Sequence, residues 1–154
     1  MSPTALLNAL LHDRGSADGV ELPGAFLFDG THRVEFSESI PGSLTLSCGV
    51  DCVLEASHPV LSVHLLRWNR RTDIVGPGAF STDGAGQEIT YTVTLATEGL
   101  GLDRLKAELH AFLSRVAQFD AALVESPLDA DDRLGGIPPA VPVEAGPSPG
   151  MISV

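Results

Sequence analysis

The hydrophobic positions of this chain follow a helical spacing in three segments and a period of two between them. Over residues 3–14, the leucines recur at intervals that place them on a single face of a helix. Ser2 or Thr4 is suited to cap this helix, and Gly15 is suited to end it. The leucines of the stripe are Leu6, Leu7, Leu10 and Leu11.

Alternation between hydrophobic and polar residues dominates residues 25–54. Phe26 and Phe28 precede the dipeptide Asp29-Gly30, which is typical of a tight hairpin turn. After a break at Ser39–Gly42, a third strand has a hydrophobic residue or cysteine at every second position from 44 to 54. This pattern predicts a sheet with one buried face.

The second half of the chain repeats both spacings. A helix is predicted from Ser57, a good N-cap that a proline follows in the first turn, and its apolar residues cover more than one side. Strands are predicted at 79–82 and at 89–95, where hydrophobic residues alternate with threonines. The last helix is predicted to begin near Gly101, with apolar residues mostly three and four apart as far as Leu123.

The predicted order is therefore α-β-β-β-α-β-β-α, an α+β fold with a twisted antiparallel sheet packed by helices. We assign it to one domain over residues 1–126. Residues 127–154 contain six prolines, four acidic residues and no periodic apolar pattern. This composition predicts a disordered acidic tail.

Charge restricts the choice of partners. The chain has a formal net charge of −11, whereas nucleic acids and anionic membranes favour basic proteins. Three of its nine basic residues, Arg67, Arg70 and Arg71, nevertheless flank the only tryptophan, Trp68. They fall in the last turns of the predicted middle helix, where cations interact favourably with the helix dipole. We therefore expect no nucleic-acid partner.

The sequence also predicts no membrane insertion and a cytoplasmic location. No apolar run approaches the roughly 18 residues that are needed to span a bilayer. The N-terminal segment contains leucines, but it lacks the basic region of a signal peptide.

Candidate chemistry is sparse. Cys48 and Cys52 share one face of a predicted strand with their Cα atoms about 13 Å apart, which is too far for a disulfide. The five histidines show no metal-binding spacing, and no nucleophile elbow is present. We expect a binding protein without enzymatic activity, cofactor or metal; an enzyme that uses one of the cysteines remains a minor alternative.

The order of these elements resembles the class I type III secretion chaperone family, the Tir-chaperone family. The resemblance covers residues 3–125 and includes the leucine helix and the F-L-F-D-G hairpin. It also includes Leu65–Asn69 at the end of the middle helix, Gly78–Asp83, the strand Ile89–Leu95, and the leucine pattern of Leu102–Leu113. In length, acidity and tail the chain is similar to the broad-specificity chaperones of plant-pathogen systems.

This resemblance implies a cytoplasmic homodimer that binds the N-terminal segment of one or more secreted effectors in extended form. Such a protein keeps its clients export-competent and delivers them to the export ATPase. The resemblance also implies that the middle helix forms the dimer interface. A regulatory adaptor or anti-activator of the same fold, which binds a folded protein partner, is the alternative.

Two sets of site residues are proposed as hypotheses. Each has a plain alternative, in which the side chains belong to the core of a single chain. The effector-binding candidates are Leu6, Leu7, Leu10 and Leu11 of the first helix with Phe26 and Phe28 of the first strand. The dimer-interface candidates are Val60, Leu61, His64 and Trp68.

Overall fold

The structure is a computed structural model, and it describes residues 2–15, 19–52, 59–82 and 88–125. For Val60 and Glu125 only the backbone is described. The predicted turn at 83–86, the predicted cap at Ser57 and the predicted tail lie outside the described residues.

Four helices and five strands make up the described fold. The helices are α1 (Pro3–Asp13), α2 (Pro59–Trp68), α3 (Thr72–Val75) and α4 (Leu102–Glu125). The strands are β1 (Gly24–Phe28), β2 (His32–Ser37), β3 (Ser43–Val50), β4 (Ala79–Thr82) and β5 (Ile89–Ala96). The predicted α+β class is confirmed.

The strands form one antiparallel sheet in the order β1-β2-β3-β5-β4. β1 and β4 are therefore its two edges. Asp29 and Gly30 both have positive φ angles (55° and 67°), as the predicted tight turn between β1 and β2 requires. The register places Val34 opposite Cys48, and Cys48 opposite Tyr91, so these side chains share one face of the sheet.

That face carries the hydrophobic core. Tyr91 stacks on Phe112 of α4, with ring centroids 5.4 Å apart, and it meets Phe119 edge to face at 5.0 Å. The long apolar stripe of α4 therefore covers the centre of the sheet, and α1 packs beside it. The opposite face bears threonines and serines, which are linked by hydrogen bonds such as that between Thr45 and Thr94.

The structure differs from the sequence prediction in three places. β3 ends at Val50, because its partner β5 begins opposite it at Ile89. Cys52 therefore lies beyond the strand and does not share a strand face with Cys48, and position 54 is outside the described residues. α2 ends at Trp68, so Arg70 and Arg71 lie beyond the helix and not within its last turns. The short helix α3 follows, although the sequence of this segment has no helical periodicity that would predict it. Its buried residues Ile74 and Val75 explain why it forms, because they attach this connection to the core.

Among the described residues, no helix combines the length and the apolar character that crossing a bilayer requires.

Candidate partner-binding surfaces

The predicted effector-binding leucines lie inside the molecule. Leu6, Leu7 and Leu10 are completely buried and Leu11 is 5% exposed. Their helix packs this stripe against the core, beside α4. Their role in effector binding stays a prediction, but their burial favours the alternative in which they are core residues.

The two phenylalanines of β1 differ from each other. Phe28 is 4% exposed, and the guanidinium of Arg14 lies 5.1 Å from its ring centroid. Phe26 is half-buried and packs against Phe36 at a centroid distance of 6.1 Å. Of the six effector-binding candidates, Phe26 therefore retains the most surface for a partner.

The dimer-interface candidates on α2 also face inward. Leu61 is 1% exposed, and Trp68 is fully buried between His64 and Phe80. Both side chains are covered by their own chain, because α2 packs this side against β4. The predicted interface stays a prediction, but the burial of Trp68 favours its alternative role as a core residue. His64 is half-buried, and the side chain of Val60 is outside the described residues.

The surface that α2 does expose lies on its other side. Val63 is 49% exposed and Leu66 is 67% exposed, and Arg67 lies beside them on the same side of the helix. We call Val63, Leu66 and Arg67 the outer face of α2.

The β4 edge of the sheet is occupied by a side chain. The Nδ2 group of Asn69 donates to the backbone carbonyl of Phe80 (2.9 Å), and the Phe80 N–H donates to Oδ1 of Asn69 (2.6 Å). The amide of Asn69 thus takes the place that a neighbouring strand would take at this position. We call this pair of bonds the Asn69 clip.

No such partner covers the β1 edge within residues 2–15, 19–52, 59–82 and 88–125. The Phe28 carbonyl accepts a hydrogen bond from Thr31 across the turn, so it points toward β2. Successive residues of a strand direct their backbone groups to opposite sides, so Ala25 and Leu27 direct theirs outward. Within the described parts of the chain, no hydrogen bond reaches these two residues from outside the sheet.

Hydrophobic side chains flank the open β1 edge. The side chain of Leu27 is 64% exposed on the threonine-bearing face. On the other face, half-buried Phe26, Val20 and Leu22 pack against the rim of the core. If an extended segment paired with β1, its side chains would contact apolar residues on both faces of the sheet.

A polar cavity lies where β2, β3 and β5 approach the last turns of α4. Asp120 accepts a hydrogen bond from the backbone N–H of Asp51 (2.8 Å), and it lies 3.1 Å from Nε2 of His32. These contacts attach α4 to β2 and to the residue that follows β3. Glu35 and Glu88 also line the cavity. No group of histidine, cysteine or carboxylate side chains suited to holding a metal ion is found among the described residues.

Cys48 lines the same cavity but is 4% exposed. Burial and then the nearby carboxylates, Asp120 first among them, raise the pKa of its thiol to about 11. The thiol therefore stays protonated at neutral pH and is a poor nucleophile. Cys52 is half-buried rather than buried, and its thiol donates to the Leu123 carbonyl (3.8 Å).

This raised pKa predicts a loss of stability at alkaline pH. The unfolded thiol releases its proton near pH 9 while the folded one retains it, so the folded state binds more protons between about pH 9 and 11. The free energy of unfolding should therefore fall across this window. Urea titrations at several pH values measure it: the fall should be smaller for Cys48→Ala than for wild type, and unchanged for Cys52→Ala. An equal fall in all three proteins would contradict the assignment.

Sequence reasoning missed the outer face of α2 and the Asn69 clip. The excess of apolar residues on α2 did indicate that this helix uses more than one side. Which side the chain itself covers is decided by β4, which is distant in sequence. An asparagine after a helix carries no signal that distinguishes a clip from a simple helix end.

Comparisons with known proteins show which solved structures share this fold. No family model and no curated protein matches the sequence. Among solved structures, a chain of the ExsC–ExsE complex superposes with a TM-score of 0.64 at 18% identity, covering 82% of this chain and 99% of that chain. A chain of the HopA1–SchA chaperone–effector complex gives 0.62 at 16% identity, covering 76% of this chain and 91% of that one.

A third solved structure is similar to this chain in fold. It contains the Yersinia pestis type III secretion chaperone SycH in complex with a stable fragment of YscM2, and a chain of it gives a TM-score of 0.57 at 15% identity. The match covers 77% of this chain and 99% of that one. At such identities the likeness concerns the fold, and the predicted resemblance to type III secretion chaperones is confirmed in that respect.

Proposed function

We propose that this chain is a cytoplasmic type III secretion chaperone, which binds the N-terminal segment of one or more secreted effectors in extended form. The observation that carries the proposal is the shared fold, since the similar structures contain chaperones bound to effectors or to a protein fragment. A chaperone of this kind is not an enzyme. The protonated, buried thiol of Cys48 agrees with that role.

The open β1 edge is the site that we assign to the effector segment. Ala25 and Leu27 offer two N–H groups and two carbonyls, which are enough to pair with a short extended segment. Leu27 and the rim around Phe26 then supply apolar contacts on the two faces of the added strand. Backbone pairing accepts many sequences, so this site suits a chaperone with several clients, as the plant-pathogen subtype would have.

The outer face of α2 is the site that we assign to the homodimer. In a two-fold dimer the same patch meets itself, so Val63 and Leu66 of each subunit would be covered together. Arg67 would then lie at the edge of the contact, where the acidic surface of a second copy can neutralise it. Delivery to the export ATPase belongs to the same proposal.

A capture experiment tests the function. Purified full-length protein is incubated with native lysate, bound proteins are identified by mass spectrometry, and their protected regions are mapped by limited proteolysis. We expect protected, extended segments near the N-termini of secreted proteins. Capture of a folded cytoplasmic regulator, with no extended segment protected, would favour the adaptor and contradict the chaperone.

Ala25→Pro tests the β1 site directly. Proline removes an outward N–H and leaves the hydrogen bonds between β1 and β2 intact. One lost backbone bond, worth about 1 kcal/mol, should weaken binding of a captured effector segment about fivefold, and steric hindrance by the ring should weaken it further. Isothermal titration calorimetry measures the affinity.

The matched control is Thr82→Pro on the opposite edge. Thr82 lies two residues after Phe80, so its N–H also points outward, but from the edge that carries the Asn69 clip. We expect this variant to bind the segment as wild type does. Equal weakening by both prolines would argue against β1 as the binding edge.

A further inference from the structure

The two edges of the sheet are unequal because of one side chain. β4 has four residues, and Phe80 and Thr82 direct their backbone groups outward while Ala79 and Ser81 pair with β5. Asn69 bonds to both the N–H and the carbonyl of Phe80. Among the described residues of this edge, Thr82 alone is then left with outward backbone groups, and one residue cannot form a ladder with another strand.

We infer that Asn69 determines which edge of the sheet accepts a strand: it closes β4 and thereby restricts strand addition to β1. The inference deepens the proposed function, on which its part about effector segments rests. Exposed edges of sheets are templates for pairing with other chains, and proteins suppress this with short or covered strands. Here the cover is a side-chain amide, which mimics the peptide group of a neighbouring strand.

The neighbours of Asn69 hold its side-chain amide in position for these two hydrogen bonds. The backbone N–H of Asn69 donates to the Leu65 carbonyl, so the residue is fixed to the last turn of α2. Trp68, the residue before it, is fully buried and lies 5.7 Å from the Phe80 ring. Helix, tryptophan and strand therefore hold the amide opposite Phe80, the one residue whose N–H and carbonyl it binds.

A second asparagine provides a control with the same chemistry at a different place. Asn8 of α1 accepts from the Val20 N–H (2.7 Å) and donates to the Val20 carbonyl (3.1 Å). Val20 belongs to no strand, so loss of this pair frees no edge of the sheet. Asn8→Ala therefore measures the effect of losing two such hydrogen bonds, together with a third to the Thr4 carbonyl, without opening β4.

The experiment compares the full-length protein with Asn69→Ala and Asn8→Ala. Amide exchange at Phe80 is measured first, and in Asn69→Ala we expect it to accelerate at least about tenfold, since its acceptor is lost. Sedimentation velocity over a concentration series is measured next. We expect Asn69→Ala to form species heavier than those of wild type, through pairing of open β4 edges, and we expect Asn8→Ala to sediment as wild type.

A second substitution tests whether the heavier species use β4. Thr82→Pro removes the other outward N–H, so Asn69→Ala combined with Thr82→Pro should return to the sedimentation of wild type. Unchanged exchange at Phe80 in Asn69→Ala, or faster exchange without any heavier species, would overturn the inference. Neither amide exchange nor sedimentation involves an effector, so both test the role of Asn69 independently of the proposed function. Failure to find extended clients would contradict the proposed function alone.

Discussion

Trp68→Ala should lower the free energy of unfolding by about 3–5 kcal/mol, the usual cost of truncating a large buried aromatic side chain. Trp68 is fully buried, with ring centroids of His64 and Phe80 at 5.9 and 5.7 Å. Phe80 continues the contact to Phe119 of α4 at 4.7 Å. The loss would be a large fraction of the roughly 5–15 kcal/mol that stabilises a typical domain.

Urea unfolding followed by far-UV circular dichroism measures this effect, because the substitution removes the only tryptophan fluorophore. Ile40→Ala is the control: Ile40 is 59% exposed beyond β2, so its truncation should change stability by less than about 0.5 kcal/mol. A Trp68→Ala protein with the stability of wild type would contradict the assignment of this side chain to the core.

Leu66→Asp should weaken the proposed homodimer by about two to four orders of magnitude in dissociation constant. Two-fold symmetry places the substitution on both sides of the contact, and each lost leucine contact is worth about 1.5–3 kcal/mol. The isolated chain should remain folded, because Leu66 is 67% exposed within it. Sedimentation equilibrium measures the dissociation constant, and circular dichroism confirms the fold.

Ile40→Asp is the matched control for this experiment. It introduces the same charge at an aliphatic residue of similar exposure, but in the connection between β2 and β3. We expect this variant to dimerise as wild type does. If Leu66→Asp also dimerises normally, the outer face of α2 is not the interface; if wild type is a monomer, the dimer itself is refuted.

The two variants also separate the two roles that α2 combines. Trp68 stabilises the fold of the single chain, whereas Leu66 is proposed to stabilise the dimer. The two residues nevertheless lie within one turn of α2. Trp68→Ala should change stability at every protein concentration. Leu66→Asp should change stability only where wild type is dimeric, because binding stabilises the folded state by mass action.

The elements of this fold could be predicted from the sequence because local patterns encode them. Strict alternation from Ile89 to Leu95 corresponds to β5, the strand that pairs with both β3 and β4. The apolar repeat after Gly101 corresponds to α4, and Asp29-Gly30 corresponds to the turn between β1 and β2. In each case the side chains that indicate the element are the ones that form it.

The proposed binding surfaces could not be predicted in the same way, because a hydrophobic residue has the same local pattern whether its own chain or another covers it. The leucine stripe of α1 and the apolar residues of α2 both suggested partner surfaces, and the structure shows that α1 and Trp68 pack within the chain.

The sequence by itself determined which segments are helices and strands, because side-chain periodicity acts over a few residues. Only the tertiary structure decided that β1 is an edge with no partner among the described residues and that Asn69 binds the edge at β4, since these depend on strand order and on contacts between separate segments. The tertiary structure also decided that Val63 and Leu66 are exposed, because β4 packs against the other side of α2.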